Sequence, residues 1–256
     1  MERRVADLNS AELLELVRQG DLEGPRVLEV LRNKFCTIEI ARLVADSARW
    51  MTSDRVRELV AGFRGFPFAR SMNILATLHW TSLLQLAQEP RTPPVVRRQA
   101  ERKIIEHLAS MSLGEKVALA RRAHRPVFKS LVAAGDEMVL TAMLDNPRLV
   151  ENDVLYMLST TEPSADFYTL IAKHHKWGSY YRVRRAFAEG ANTPLPLALS
   201  ALVLLRASDV RDMARRRNVP ERVRAAAQAL VDRERGGQRR VLNSLRDAGE
   251  TPPDTT

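Results

Sequence analysis

One cysteine, Cys36, stands in a chain of 256 residues. Alone it can form neither an intrachain disulfide nor a cysteine-held cluster. A reducing cytoplasm is therefore the expected compartment. Aromatic residues make up only 5% of the chain, so Leu, Ala and Val carry the apolar load, as suits helices packed on helices. The 11 glycines form no glycine-rich run, which removes the usual phosphate-cradling loop, and no nucleotide site is expected. Long apolar runs are also missing. The most apolar stretch, Leu195–Leu205, has 11 residues and is too short to cross a bilayer. The first residues, MERRVADLNS, carry two arginines with no apolar run behind them, so no signal peptide is expected. Apolar residues nowhere alternate cleanly with polar ones, which leaves no strand pattern.

What remains is a helical pattern with frequent punctuation. Asn9 with Glu12 and Ser112 with Glu115 have capping-box spacing. Prolines at 25, 67, 93, 126, 194 and 220 stand where new apolar-periodic segments begin. Gly135 follows a segment running from Pro126 to Ala134 and reads as its C-terminal stop. The expectation is an all-α protein, with residues 1–248 as a single helical domain and 249–256 (GETPPDTT) as a disordered tail. Arg233–Arg240 reads as a polar, Gly-containing run, followed by one last turn at Val241–Leu245.

Residues 55–104 and 182–231 share an internal register. With a shift of 127, Arg55-Val56-Arg57 fall on Arg182-Val183-Arg184, Pro67 on Pro194 and Pro93 on Pro220. Leu75, Leu78, Ala87, Val96 and Ala100 likewise meet Leu202, Leu205, Ala214, Val223 and Ala227. Helix-starting prolines and small contact residues are kept without a gap. A looser copy, with Val139 and Asn146-Pro147 in the roles of Val183 and Asn192-Thr193-Pro194, lies between them. Units that cannot bury their apolar faces alone do so by stacking. Thr193 is placed to cap the helix that follows Pro194, and uncharged Leu195–Leu205 reads as a buried spine.

The segments VRRAFAEGANTPLPLALSAL and MARRRNVPERVRAAAQAL resemble the leucine-rich repeat variant and, more broadly, HEAT/armadillo-type units. The resemblance is clearest over 180–231 and weaker over 55–104. It implies an α-solenoid of stacked short helices and a binding role. Some variant-repeat proteins hold an iron–sulfur cluster on cysteines; with Cys36 alone, that feature does not carry over. No cofactor is expected.

Charge is uneven. The chain has 34 arginines against 6 lysines and a net charge of +9. Residues 179–240 hold 14 arginines and 6 acidic residues, a net of +8, which leaves +1 elsewhere. The candidate binding residues are Arg182, Arg184, Arg185, Arg211, Arg215, Arg216, Arg217, Arg222 and Arg224. Sharing one face, they would attract phosphate or an acidic protein. The competing reading is a solvated set that pairs with Asp209, Asp212 and Glu221 or favours helix C-termini.

His174, His175, Trp177, Tyr180 and Tyr181 lack metal-ligand spacing and read as a packed Trp–Tyr corner. Trp50 and Trp80 read as core, and Cys36 as a buried thiol. No catalytic residue and no metal ligand is assigned. The expected function is a non-enzymatic scaffold in a bacterial cytoplasm that binds a protein partner. Nucleic-acid binding through the arginines is the alternative. A DNA glycosylase on a HEAT-like scaffold is a third reading, for which no matching Trp/Asp motif is found.

Overall fold

In this computed structural model residues 4–160 and 163–249 are described, with side chains for 4–159 and 163–236. The chain packs as two compact units divided between Ser130 and Leu131. The first unit contains α1 (Ser10–Arg18), α2 (Gly24–Arg32), α3 (Ile38–Asp46), α4 (Asp54–Ala61), α5 (Phe68–Leu75), α6 (Trp80–Gln88), α7 (Pro94–His107) and α8 (Leu113–Ala120). The boundary falls within α9 (Arg125–Ala134). The second unit contains α10 (Glu137–Leu144), α11 (Glu151–Thr160), α12 (Ala165–Lys173), α13 (Tyr181–Glu189), α14 (Leu195–Val203), α15 (Ala207–Arg215) and α16 (Glu221–Gly249). The fold is all-helical: no strand occurs among the described residues.

Local sequence starts these helices. Asn9 accepts the N–H groups of Ala11 and Glu12, and Glu12 accepts the N–H of Asn9. Ser112 and Glu115 make the same reciprocal box ahead of α8. Each box occupies backbone donors that the first helical turn leaves without intrahelical partners. Gly135 ends α9 with φ +70°, a conformation open to glycine at little cost.

Seven consecutive helix starts in the first unit recur 127 residues later in the second. Those of α1 to α7, at residues 10, 24, 38, 54, 68, 80 and 94, match those of α10 to α16 at 137, 151, 165, 181, 195, 207 and 221. The caps follow the same register. Asn9 and Asp136 each accept the N–H groups two and three residues on. Thr37 accepts from Ile40, and Ser164 from Phe167. Burial follows it too: Leu13 and Leu140, Val27 and Val154, and Val56 and Val183 are all fully buried. Packing repeats as well. Helices α1 and α3, α2 and α4, α4 and α5, α5 and α7, and α6 and α7 pack together. So do α10 and α12, α11 and α13, α13 and α14, α14 and α16, and α15 and α16.

A tryptophan opens a short 3-10 turn at the same register position in each unit, Trp50–Thr52 and Trp177–Ser179. Both indoles are buried. Trp50 Nε1 donates to the carbonyl of Leu22 at 2.9 Å, in the loop between α1 and α2. Trp177 Nε1 donates to the carbonyl of Leu144 at 2.8 Å, one of the last carbonyls of α10, which lack an intrahelical acceptor role. Tyr180 packs edge-on against Trp177 with ring centroids 5.4 Å apart, so the Trp–Tyr corner is packed as the sequence suggests. Gly178 makes this corner possible. A Cβ there would lie 2.2 Å from the carbonyl oxygen of Ala172.

Three sequence expectations are corrected. Leu195–Leu205 is not buried throughout: Ala198, Ala201 and Leu202 are, while Val203 is 68% and Leu204 58% exposed. A helix buries a stripe, and residues 203 and 204 fall off the stripe through 198, 201 and 202. Thr193 does not cap α14, whose N-cap is Pro194 with no side-chain capping bond. Residues 233–240 are not a break, because α16 continues as helix to Gly249. Two glycines there cost about 1 kcal/mol each relative to alanine, and the Ala, Arg, Gln and Leu around them are good helix formers. Residues 250–256 of the expected tail lie outside the described residues.

Replacing either buried indole by a benzyl group leaves a carbonyl without its donor. Trp50→Phe and Trp177→Phe are each expected to lower unfolding free energy in urea by about 1–3 kcal/mol. Gly178→Ala is expected to cost a similar ~1–3 kcal/mol by overpacking against backbone that cannot yield.

Candidate functional site

The nine candidate arginines all belong to the second unit, and the structure separates them by what they touch. Arg185 and Arg216 are held in a carboxylate network. Arg185 Nε meets Glu189 at 3.0 Å, and its Nη1 meets Asp209 at 3.4 Å. Arg216 Nη1 meets Glu189 at 2.8 Å and Asp212 at 3.5 Å. The Glu189 carboxylate bonded to Arg185 raises the guanidinium pKa further, so this charge is fixed and neutralised. Tyr181 joins the network by donating its hydroxyl to Asp209. Its ring carries the Arg206 guanidinium, 4.9 Å from the centroid.

Three more arginines have structural bonds. Arg182 contacts Asn152 at 2.9 Å and Glu151 at 3.4 Å. Arg184 donates to the carbonyl of Gly178 at 2.8 Å, inside the turn that Trp177 begins. Arg211 donates back to Ala207 on its own helix at 3.2 Å.

Arg215, Arg217, Arg222 and Arg224 differ from these. Their side chains form no hydrogen bond or ion pair with a described residue. Arg215, Arg217 and Arg222 are exposed, and Arg224 is half-buried. Arg215 ends α15, where the helix dipole favours a cation. Arg222 sits in the first turn of α16, where the same dipole disfavours one. Glu221 shares that first turn, and Arg222 beside it forms no ion pair with a described residue.

The other sequence candidates resolve as structure. His174 Nε2 lies 3.1 Å from Asp145, and its Nδ1 accepts the N–H of Lys176 at 3.2 Å. The ring thereby closes the end of α12. No three His, Cys, Asp or Glu side chains among the described residues converge as a metal site. Trp50 and Trp80 are buried in the core of the first unit. Cys36 is half-buried rather than buried, and this partial burial pushes its thiol up to about 12, which keeps it protonated and poorly nucleophilic near neutral pH. Sequence reasoning missed Tyr181 and Arg206 as parts of the charged network; an aromatic directly before Arg182 was the available signal.

No protein-family model matches the chain, and no curated protein or solved structure matches it either. The chain's own residues carry the functional reading.

Arg185 bridges Glu189, Asp209 and Asp212, so its removal leaves Arg216 to pair with Glu189 and Asp212 and takes from Asp209 its guanidinium partner. Arg185→Ala is expected to lower the thermal midpoint at low salt. The loss should shrink at about 1 M salt, where screening operates within roughly 3 Å.

Proposed function

We propose that the chain is a non-enzymatic helical-repeat scaffold, an α-solenoid of the variant leucine-rich or HEAT/armadillo kind, that binds a protein partner in the cytoplasm. The helix spacing supports the repeat reading. In the first unit α2, α4 and α6 start at residues 24, 54 and 80, steps of 30 and 26. Periods of about 20–50 residues characterise stacked repeats. The pairing of α1 with α3, α2 with α4 and α5 with α7 fits units that bury their faces on the next-but-one helix. Among the described residues no helix is long and apolar enough to cross a membrane.

The observation that carries the binding role is the set Arg215, Arg217, Arg222 and Arg224, which form no ion pair with a described residue, beside a network that neutralises Arg185 and Arg216. The partner of matching chemistry is an acidic segment. Val203 and Leu204, exposed on the same unit, offer apolar contact to a protein that a phosphate backbone would not use. A nucleic acid is the second reading, favoured by Arg222 in the first turn of α16, where guanidinium and backbone N–H groups together suit phosphate.

The test compares the wild-type chain with a variant carrying Arg215→Glu, Arg217→Glu, Arg222→Glu and Arg224→Glu. Cross-linking mass spectrometry of isolated complexes is expected to link residues 203–224 to an acidic segment of a partner, and the variant is expected to lose those links. Equal recovery and equal links with both chains would overturn the reading. Duplex DNA that binds the wild-type chain and loses affinity about 10²-fold or more between roughly 50 and 200 mM salt, as about four phosphate contacts require, would transfer the arginines to the nucleic-acid reading.

A further inference from the structure

The first unit contains an open cleft of about 600 Å³ between the end of α2, the length of α4 and the segment after α6. Its interior is built around Glu58. The Glu58 side chain is only 8% exposed. Arg55 donates to one of its carboxyl oxygens, Oε1, and also to Gln85. The other oxygen, Oε2, is buried with no hydrogen-bond partner. Burial pushes the Glu58 carboxyl above its ordinary range in spite of Arg55. A buried polar atom left unpaired costs about 1–3 kcal/mol, and a donor that displaced the cleft wall enough to reach this oxygen would remove that cost.

The walls and rim have different chemistry. Leu59, Phe63 and Leu86 supply apolar and aromatic surface. Arg32, Arg64 and Arg91 also line the cleft; all three are exposed, and their side chains make no ion pair with a described residue.

The second unit provides an internal comparison in the same register. Where the first unit has Glu58, Gly62 and Glu89, the second has Arg185, Glu189 and Arg216, the residues that close the ion network. Where the first has Arg32, Arg64 and Arg91, the second has uncharged Ser159, Ala191 and Asn218. One scaffold position is thus occupied by the protein's own salt bridges in one unit. In the other it is open, cationic at the rim and unsatisfied at the base.

We propose that this cleft binds a nucleoside monophosphate, with an N–H group of the base donating to Glu58, the base against Phe63, and the phosphate met by Arg32, Arg64 and Arg91. Such a ligand joins a flat, apolar body and an N–H donor at one end to a dianion at the other. Pockets of about 300–1,000 Å³ are of the size that takes small organic ligands. Guanidinium groups can recognise phosphate without a glycine-rich loop, so the earlier expectation of no nucleotide site, which rested on that loop, is revised. This proposal is independent of the arginine surface on the second unit.

Isothermal titration of the full-length chain with AMP, GMP, CMP and UMP tests it, with the matching nucleosides and inorganic phosphate as controls. At least one monophosphate is expected to bind with a Kd below about 1 mM, and its nucleoside and phosphate alone at least about tenfold more weakly. Arg64→Glu with Arg91→Glu, both at exposed positions, is expected to abolish binding. Arg215→Glu with Arg217→Glu on the other unit should leave it unchanged. The proposal is overturned if no monophosphate binds at about 1 mM, if phosphate alone binds equally well, or if binding survives the Arg64/Arg91 variant.

Discussion

The buried indole N–H that opens the 3-10 turn of each unit donates to a backbone carbonyl supplied from well before it in the chain, whereas the indole N–H of Trp80 is buried without a hydrogen-bond partner. Trp50 reaches Leu22 and Trp177 reaches Leu144. This bond ties the turn entering α4 or α13 to the end of the unit's first helix or the loop after it. In the second unit the consequence runs directly to the charged surface. Arg184, on α13, bonds the carbonyl of Gly178 within the Trp177 turn. On the same helix, Arg182 and Arg185 turn to Glu151 and to the Glu189–Asp209 pair. A hydrogen bond in the core thus helps to set where three arginines point.

A shared backbone register carries two different chemistries. Many apolar positions keep their class and burial across the two units, as Val56 with Val183 and Leu75 with Leu202, although buried Leu84 and Trp80 meet exposed Arg211 and Ala207. The polar positions on α4 and after α6 reverse sign: Glu58 becomes Arg185, and Glu89 becomes Arg216. In the second unit Glu189, at the place of Gly62, completes a neutralised network. In the first, Gly62 stands there, with Leu86 and Thr92 packed so closely that a Cβ would lie 2.7 and 2.9 Å from them, and the cleft lies beside it. Most apolar positions are constrained by packing, whereas these two polar positions differ in setting as well as sign: Glu58 is buried and Glu89 exposed, while Arg185 and Arg216 are both half-buried. The two units therefore offer partners different surfaces on the same helical frame.

Much of the frame was legible in the sequence because caps and helix starts are local. Asn9 with Glu12, Ser112 with Glu115, and Gly135 act within a single turn. The register of 127 was legible over residues 55–104 and 182–231, where identical residues align, and invisible outside them. There identical residues stand singly, as Leu13 with Leu140, Val27 with Val154 and Trp50 with Trp177, among positions that share only residue class, as Ile40 with Phe167 or Asn9 with Asp136. The sequence reading therefore grouped Trp50 with Trp80 and Trp177 with its neighbouring histidines, whereas the structure gives Trp50 and Trp177 the same position and the same bond type. The arginines were visible as a count, but their division was not. Which of them are neutralised depends on carboxylates brought from other helices, such as Asp209 and Asp212 on α15 for Arg185 and Glu189 on α13 for Arg216. The unsatisfied Glu58 oxygen has no sequence signal at all, since it follows from burial.

Hydrogen exchange at the tryptophan indoles tests the central claim most directly, because it reads the two bonds themselves. In two-dimensional 15N NMR spectra of the native chain, the indole N–H groups of Trp50 and Trp177 are expected to persist in D2O long after exposed amides have exchanged. Assignment comes from the two Trp→Phe variants. Exchange of either indole at the rate of free tryptophan would contradict the claim that these buried bonds anchor their units.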